Sequence, residues 1–398
     1  MHHPLALQSR LTRAALALAL VLCVAVLDGW QCPPVPAAAE AVFPGSMATA
    51  NTAAGMDPSR LKPVASGSIP MPAGALAAHA SSLLPMPEGH PAALLAFWFA
   101  GDRESAPNVQ IAASQFDRAT QTWQPARYVV NRHVMGQALG FGVRRLGNPV
   151  AWLDASNRVH LFVVATGWGG WAASRVLHLV QSGPENRLSE LSFAPVRVLP
   201  LSWLWNTSYL VRNAPLPLAD GGMVLPAHFE IGSKFPVALR FDGSGEFLGM
   251  VRLSSRTHLL QPTLLPQTPR HWIALMRDTR PEGRITAVQT LDGGQHWSDL
   301  PDLAETNPDA AVVGLGLAAG HSVLVHNTSP HSRELLDLSA SSDGLHWSRL
   351  QALAHGGEGD EYSYPALAWA DQSLWVSYTD HRRSITWQRF SAAGKGAP

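Results

Sequence analysis

Two segments of this chain, Thr290-Leu-Asp-Gly-Gly-Gln-His-Trp297 and Ser341-Ser-Asp-Gly-Leu-His-Trp347, write the same turn twice, with their tryptophans 50 residues apart. In each, a hydroxyl residue is followed two positions later by Asp, then by Gly and Trp. The carboxylate can accept backbone N–H groups of its own loop, glycine supplies positive φ, and the indole turns back into apolar packing. A turn of this kind closes a hairpin, and its recurrence at this interval marks a repeated supersecondary unit built from antiparallel strands.

Apolar, strand-like runs extend that repeat along the chain. Leu94 to Phe99, Val159 to Val164, Met223 to Leu225, Trp272 to Met276, Val323 to Val325 and Leu374 to Tyr378 start 65, 64, 49, 51 and 51 residues apart. These intervals suit four-stranded blades with longer insertions early on, and the runs read as inner strands. Gly, Pro, Asp and Asn interrupt the sequence between them before any long helical periodicity develops. The expected fold is all-β, a six-bladed β-propeller, in which radial closure leaves only short strand edges.

The first residues have a different character. Arg10 and Arg13 precede Ala14 to Leu27, fourteen residues without a polar side chain, which is the length of a signal-peptide apolar region. Residues 1–39 therefore read as a signal peptide, with Ala37-Ala38-Ala39 as small residues for cleavage, or as an uncleaved anchor tethered to the inner membrane. Cys32 is a poor lipidation site, because Gly29-Trp30-Gln31 puts bulky residues where small ones belong. Export to the periplasm or beyond is the expectation. Residues 40–75, rich in Pro, Ala, Gly and Ser, read as a flexible linker; 76–392 form the propeller and 393–398 a tail.

Composition limits the function classes. Lys plus Arg equals Asp plus Glu at 29 each, and there is no long basic run, which argues against nucleic acid as a partner. Both cysteines, Cys23 and Cys32, lie in the leader, so the rest has no disulfide and no thiolate nucleophile. The histidines are scattered rather than placed at zinc-ligand spacing, and neither a metal nor a cofactor is expected.

The two turns resemble the Asp box, Ser/Thr-x-Asp-x-Gly-x-Thr-Trp. Further motifs follow in order: Phe97-Trp-Phe-Ala-Gly-Asp-Arg-Glu104, Gly147-Asn-Pro149, Gln261-Pro-Thr-Leu264, Ala274-Leu-Met-Arg-Asp278, Val325-His-Asn-Thr328 and Glu361-Tyr-Ser-Tyr-Pro365. From His79 to about Phe390 this order is similar to the bacterial sialidase-like (neuraminidase-like) family with BNR repeats. The resemblance implies a sialidase-type propeller with its site at the axial end, Asp boxes on the rim away from it, and cleavage of terminal sialic acids from glycoconjugates. The Arg-Ile-Pro signature of proven sialidases in the first blade is absent; Asp102-Arg103-Glu104 stands in its neighbourhood.

A sialic acid carboxylate is best held by guanidinium groups, which are planar, permanently charged and bidentate. Arg103, Arg277 and Arg382 each leave an apolar run where a propeller aims residues at its axis, and Arg212 beside Asn213 is a further candidate. Retaining sialidases use Tyr assisted by Glu, because a neutral nucleophile avoids repulsion from the substrate carboxylate. Tyr364 is the candidate nucleophile. Strand alternation would put Tyr362 and Tyr364 on one face and Glu361 on the other, so Glu230 from another blade is the candidate assistant. Asp102 or Glu104 is the candidate acid/base. Asn148 and Gln261 are candidate hydrogen-bonding residues for sugar hydroxyls, and Trp168 in Gly167-Trp-Gly-Gly-Trp171 a candidate sugar-stacking residue. The heads of Arg103, Arg277 and Tyr364 are expected to converge.

The leading functional expectation is an exported retaining glycoside hydrolase of exo-α-sialidase type acting on an acidic glycan. A propeller enzyme acting on another acidic polysaccharide, and a non-catalytic glycan-binding propeller, stand as alternatives.

Overall fold

A computed structural model of the protein describes residues 4–43, 57–183 and 187–392. Six antiparallel sheets follow one another along the chain as the blades of a propeller. Their first strands, Ala77–Pro85, Arg145–Leu153, Tyr209–Val211, Leu259–Pro266, Val313–Ala318 and Tyr362–Ala370, each begin a blade. Those of adjacent blades touch around the axis, as between blades one and two, four and five, five and six, and six and one.

The six apolar runs all form strands, but each is the second strand of its blade rather than the inner one. The reason is burial on both faces. Ala92–Gly101 and Val159–Thr166 are buried along their whole lengths, flanked by a strand on each side and covered by neighbouring blades, so they read as unbroken apolar sequence. Four of the inner strands are interrupted by polar residues or proline instead, at His79, Asn148-Pro149, Gln261-Pro262 and Tyr364-Pro365. The core is correspondingly divided into clusters between neighbouring blades. At the seam between blades six and one, Trp375 lies 4.7 Å from Phe116 and 5.4 Å from Trp387, ring centre to ring centre. The first pair is edge-to-face and the second tilted; aromatic pairs of this kind add about 0.5–1.5 kcal/mol each beyond the area they bury.

The seam also corrects the expected linker. Leu61–Ser68 pairs antiparallel with Ser384–Ala392 as the outermost strand of blade six, so the N-terminal side of the chain closes the ring. Its composition hid it because only Leu61 is fully buried in an otherwise exposed edge strand. Residues 44–56 of the predicted linker and the predicted tail 393–398 lie outside the described residues. The leader forms a helix, Pro4–Gln31, with Leu16, Leu18, Leu20 and Leu22 exposed. Among the described residues no helix is long and apolar enough to cross a membrane.

Both Asp turns adopt the predicted geometry. Asp292 accepts from the Gln295 and His296 amides at 3.0 and 3.1 Å and from the Thr290 hydroxyl at 2.8 Å. Asp343 accepts from the Leu345 and His346 amides at 2.9 and 2.8 Å. Asp117 and Asp242 cap the matching turns of blades one and three in the same way, in sequences too degenerate to read as boxes. All four turns join third to fourth strands. Connections between second and third strands, and between blades, therefore lie at the opposite end of the propeller, where the candidate site is built.

Candidate active site

Four inner strands are broken near that end by a bulge. Pairing to the second strand slips between His79 and Ser82, Gly147 and Val150, Leu260 and Thr263, and Ser363 and Ala366. Inside each slip one residue has left-handed φ: Ala80 at 56°, Asn148 at 41°, Gln261 at 53° and Tyr364 at 51°. Proline follows the last three, and it fits because a bulged position needs no N–H for the ladder. Non-glycine residues in this region cost on the order of 1–3 kcal/mol each and persist only where the surroundings fix them. The Asn-Pro, Gln-Pro and Tyr-Pro motifs are thus the points where an inner strand turns a side chain out of its regular alternation.

A dipeptide from blade three fixes three of the four bulges. Arg212 is buried and reaches across the axis, donating from Nη1 to the Ser81 carbonyl at 3.2 Å and from Nη2 to the Pro365 carbonyl at 2.8 Å. Asn213 donates from Nδ2 to the Gln261, Pro262 and Val312 carbonyls at 3.0, 3.0 and 3.1 Å. Two adjacent residues therefore tie the bulges of blades one, four and six and the entry to blade five. Burial drives the Arg212 guanidinium down to about 10, which leaves it charged at working pH.

Above this floor, the Tyr364 ring packs between charged and apolar groups. The Arg212 guanidinium carbon is 5.3 Å from the Tyr364 ring centre, and the His79 ring meets it edge-on at 4.3 Å. His79 is buried with both ring nitrogens lacking a partner; burial, reinforced by Arg382, drives its pKa down to about 3, so the ring is neutral. Arg277 donates from Nε to Asp309 at 2.6 Å and from Nη1 to the Gln261 side chain at 3.4 Å. Burial opposes its charge, but Tyr364 and Asp309 outweigh burial and raise it.

Glu361 sits between two further arginines. Arg333 donates to it at 3.0 Å, and Arg382 donates at 2.8 and 3.2 Å while its remaining nitrogen meets Glu104. Burial works against the Glu361 anion, but Arg382 and Arg333 together hold its pKa down to about 2. Glu230 faces the same cluster. Its own burial is outweighed by His228, 3.2 Å away, and by the charges of Lys234 and Arg277, so its pKa is lowered.

The structure brings Arg277, Tyr364, Gln261 and Glu230 together, with Arg382 and Glu104 at the edge. Arg103 departs from the expected convergence: it is exposed, and with Asp102, Glu104, Arg382 and Arg383 it lines an open depression on the rim. The turn after Gly101 carries it outward. Asn148 is buried on its bulge. Trp168 is 83% exposed, with the Arg144 guanidinium 3.8 Å over one ring face. Alternation fails at Tyr362 and Tyr364, because pairing is regular through Ser363 and Tyr364 lies inside the bulge: Tyr362 packs on Tyr378 and His381, and Tyr364 on His79. His79, Asp309 and Arg333 are site residues that sequence reading missed. Arg333 lies between the second and third strands of blade five, the equivalent of Arg382 in blade six, and that position was the signal available.

A family model described as a BNR repeat-like domain matches residues 92–376. No curated protein matches the chain in sequence. Among solved structures, a Hadza microbial sialidase is 15% identical, with a TM-score of 0.65 over 82% of this chain and 68% of that one. Trypanosoma rangeli sialidase with 2,3-difluorosialic acid, as a covalent intermediate, is 13% identical, with a TM-score of 0.64 over 82% of this chain. The chain spans only 59% of that enzyme's length. A protein of unknown function from Dyadobacter fermentans is 11% identical, with a TM-score of 0.62 over 83% of this chain and 99% of that one. At these identities the likeness is one of fold.

Proposed function

The chain belongs to the sialidase-like family with BNR repeats, and from that premise we propose that it is an exported glycoside hydrolase of exo-α-sialidase type, releasing terminal acidic sugars with retention. One observation carries the reading: Tyr364 stands on a strained inner-strand bulge, flanked by Arg212 and Arg277, at the end of the propeller where blade connections gather. Arg277 and Arg382 hold the substrate carboxylate, with Gln261 and Asn148 available to hydroxyls. Tyr364 attacks the anomeric carbon as a neutral nucleophile, and Glu230 takes the phenolic proton. One acid, Glu104 or Asp102, gives its proton to the leaving oxygen as that bond breaks, then takes a proton from the water that cleaves the Tyr364–sugar bond, while Glu230 returns the phenolic proton. The Trp168 ring offers its open face to the rest of the glycan. No cofactor enters this scheme. The leader directs the protein to the periplasm or holds it at the inner membrane.

Release of free sugar from a fluorogenic sialoside tests the proposal, and no release over a broad pH range would sink it. A second reading, a glycan-binding propeller without turnover, draws on the pairing already present in the cluster. Arg277 is bound to Asp309, Arg333 to Glu361, and Arg382 to Glu361 and Glu104, so an incoming carboxylate must displace a resident one. Binding on a glycan array without product, unchanged by Tyr364→Phe, would select that reading. A third, an enzyme eliminating across another acidic polysaccharide, would reveal itself by unsaturated products absorbing in the ultraviolet.

A further inference from the structure

The segment after the leader helix is bound into the propeller. The Ala39 and Ala41 amides donate to the Gly293 and Pro269 carbonyls at 3.0 and 2.7 Å, and the Val42 amide to Pro217 at 3.0 Å. In return the Pro34 carbonyl accepts from the Met250 amide at 3.0 Å and the Glu40 carbonyl from Ala219 at 2.8 Å. Ala41 bridges to Leu218 as a strand would, is 5% exposed, and joins Leu216, Leu218 and Trp272 in the core between blades three and four.

The propeller is shaped to receive this segment. A Cβ at Gly293 would lie 2.2 Å from the Ala39 carbonyl oxygen, and one at Gly249 would lie 2.1 Å from that of Pro34. Pro36 and Ala37 cover a narrow apolar crevice over Trp272 and Trp297. Three independent parts of the rim, the Asp turn of blade four, the outer strand of blade three and the turn ending its inner edge, are fitted to residues 34–42.

We propose that Pro33 to Val42 is a permanent strap of the folded protein, so that the leader is not removed at Ala37-Ala38-Ala39. Cleavage there would discard the partners of Met250 and Gly293 and uncover the Trp272 and Trp297 crevice. Shape and hydrogen-bond complementarity of this kind stabilises the fold only if the segment stays. Any trimming occurs before Pro33 or not at all. Because the strap leaves from the end that carries the Asp turns, whatever holds the N-terminus presents the Tyr364 end outward. This inference does not depend on the proposed reaction.

The test uses the full chain expressed in an exporting bacterial host. N-terminal sequencing of the folded product should find a start before Pro33, the initiating residue included. Amide exchange should show peptide 33–43 protected at least about a hundredfold over an unstructured peptide, as expected for strand-like hydrogen bonds. A cooperatively melting product that starts at Glu40, or exchange of this peptide at unstructured rates, would overturn the strap. Ala41→Asp in the full chain is an independent probe: it should lower Tm and release that protection, and an unchanged Tm and protection would also overturn it.

Discussion

The Arg212 guanidinium lies 5.3 Å from the Tyr364 ring centre while donating to the carbonyl of the next residue, Pro365, at 2.8 Å. A residue of blade three thus holds the bulge of blade six in place, and through Ser81 it holds that of blade one. Arg212→Met leaves two buried carbonyls without their donor at about 1–3 kcal/mol each, partly offset by removal of a desolvated charge. Urea unfolding should show a loss of roughly 2–4 kcal/mol, with Arg212→Lys intermediate. A change below about 0.5 kcal/mol would mean the clamp is dispensable.

Tyr364→Phe keeps the ring that packs on His79 and removes the hydroxyl. Turnover of a sialoside that wild type cleaves should fall by at least about a thousandfold, with Tm unchanged. Retention of more than a tenth of the activity would exclude Tyr364 as nucleophile.

Glu361 has a folded pKa of about 2 against an ordinary 4.5. A carboxyl lowered on folding stabilises the native state above its unfolded pKa, and that contribution disappears as pH falls through the interval between the two. Glu361→Gln should therefore flatten the stability profile between about pH 4.5 and 2. A mutant profile parallel to wild type there would refute the assignment.

The buried histidines act in the same direction at higher pH. Burial lowers His79 and His178 to about 3 and His326 to about 4, from an ordinary 6.5. Their unfolded forms take up protons first as pH falls, so stability is complete above 6.5 and declines below it. Tm scanned from pH 8 to 4 should begin to fall near 6.5, and His178→Phe should reduce the slope. A flat Tm across that range would contradict the burial of neutral rings.

Asp292→Ala removes the acceptor for two amides and a hydroxyl in a turn remote from Tyr364. Stability should drop by about 1–2 kcal/mol while kcat and KM stay at wild-type values. A fall in kcat at temperatures well below Tm would show that the Asp turns reach the site.

The fold was legible in the sequence because its signals are local. Thr290 to Trp297 and Ser341 to Trp347 specify their turns through bonds spanning at most four residues, and second strands such as Val159–Thr166 announce themselves by unbroken apolar character. Leu61–Ser68 was not legible, since its partner is Ser384–Ala392 at the far end of the chain and it buries little of its own surface. The site was legible in part. Tyr364 and Gln261 stood in X-Pro motifs with bulge chemistry and Arg277 near the end of an apolar strand, whereas His79 and Asp309 have neighbours in the chain that give no sign of their role.

Sequence alone determined the six-bladed architecture, the Asp turns and the family, because strand burial and turn capping are written in contiguous residues. Tertiary structure decided which arginines belong together. Arg103 and Arg382 both follow apolar strands and line the same open depression, yet Arg382 pairs with Glu361 whereas Arg103 stays exposed; Arg212, just after a short inner strand, became the hub of the axis. Those outcomes depend on left-handed bulges and on carbonyls supplied by blades distant in sequence, and such contacts exist only once the ring has closed.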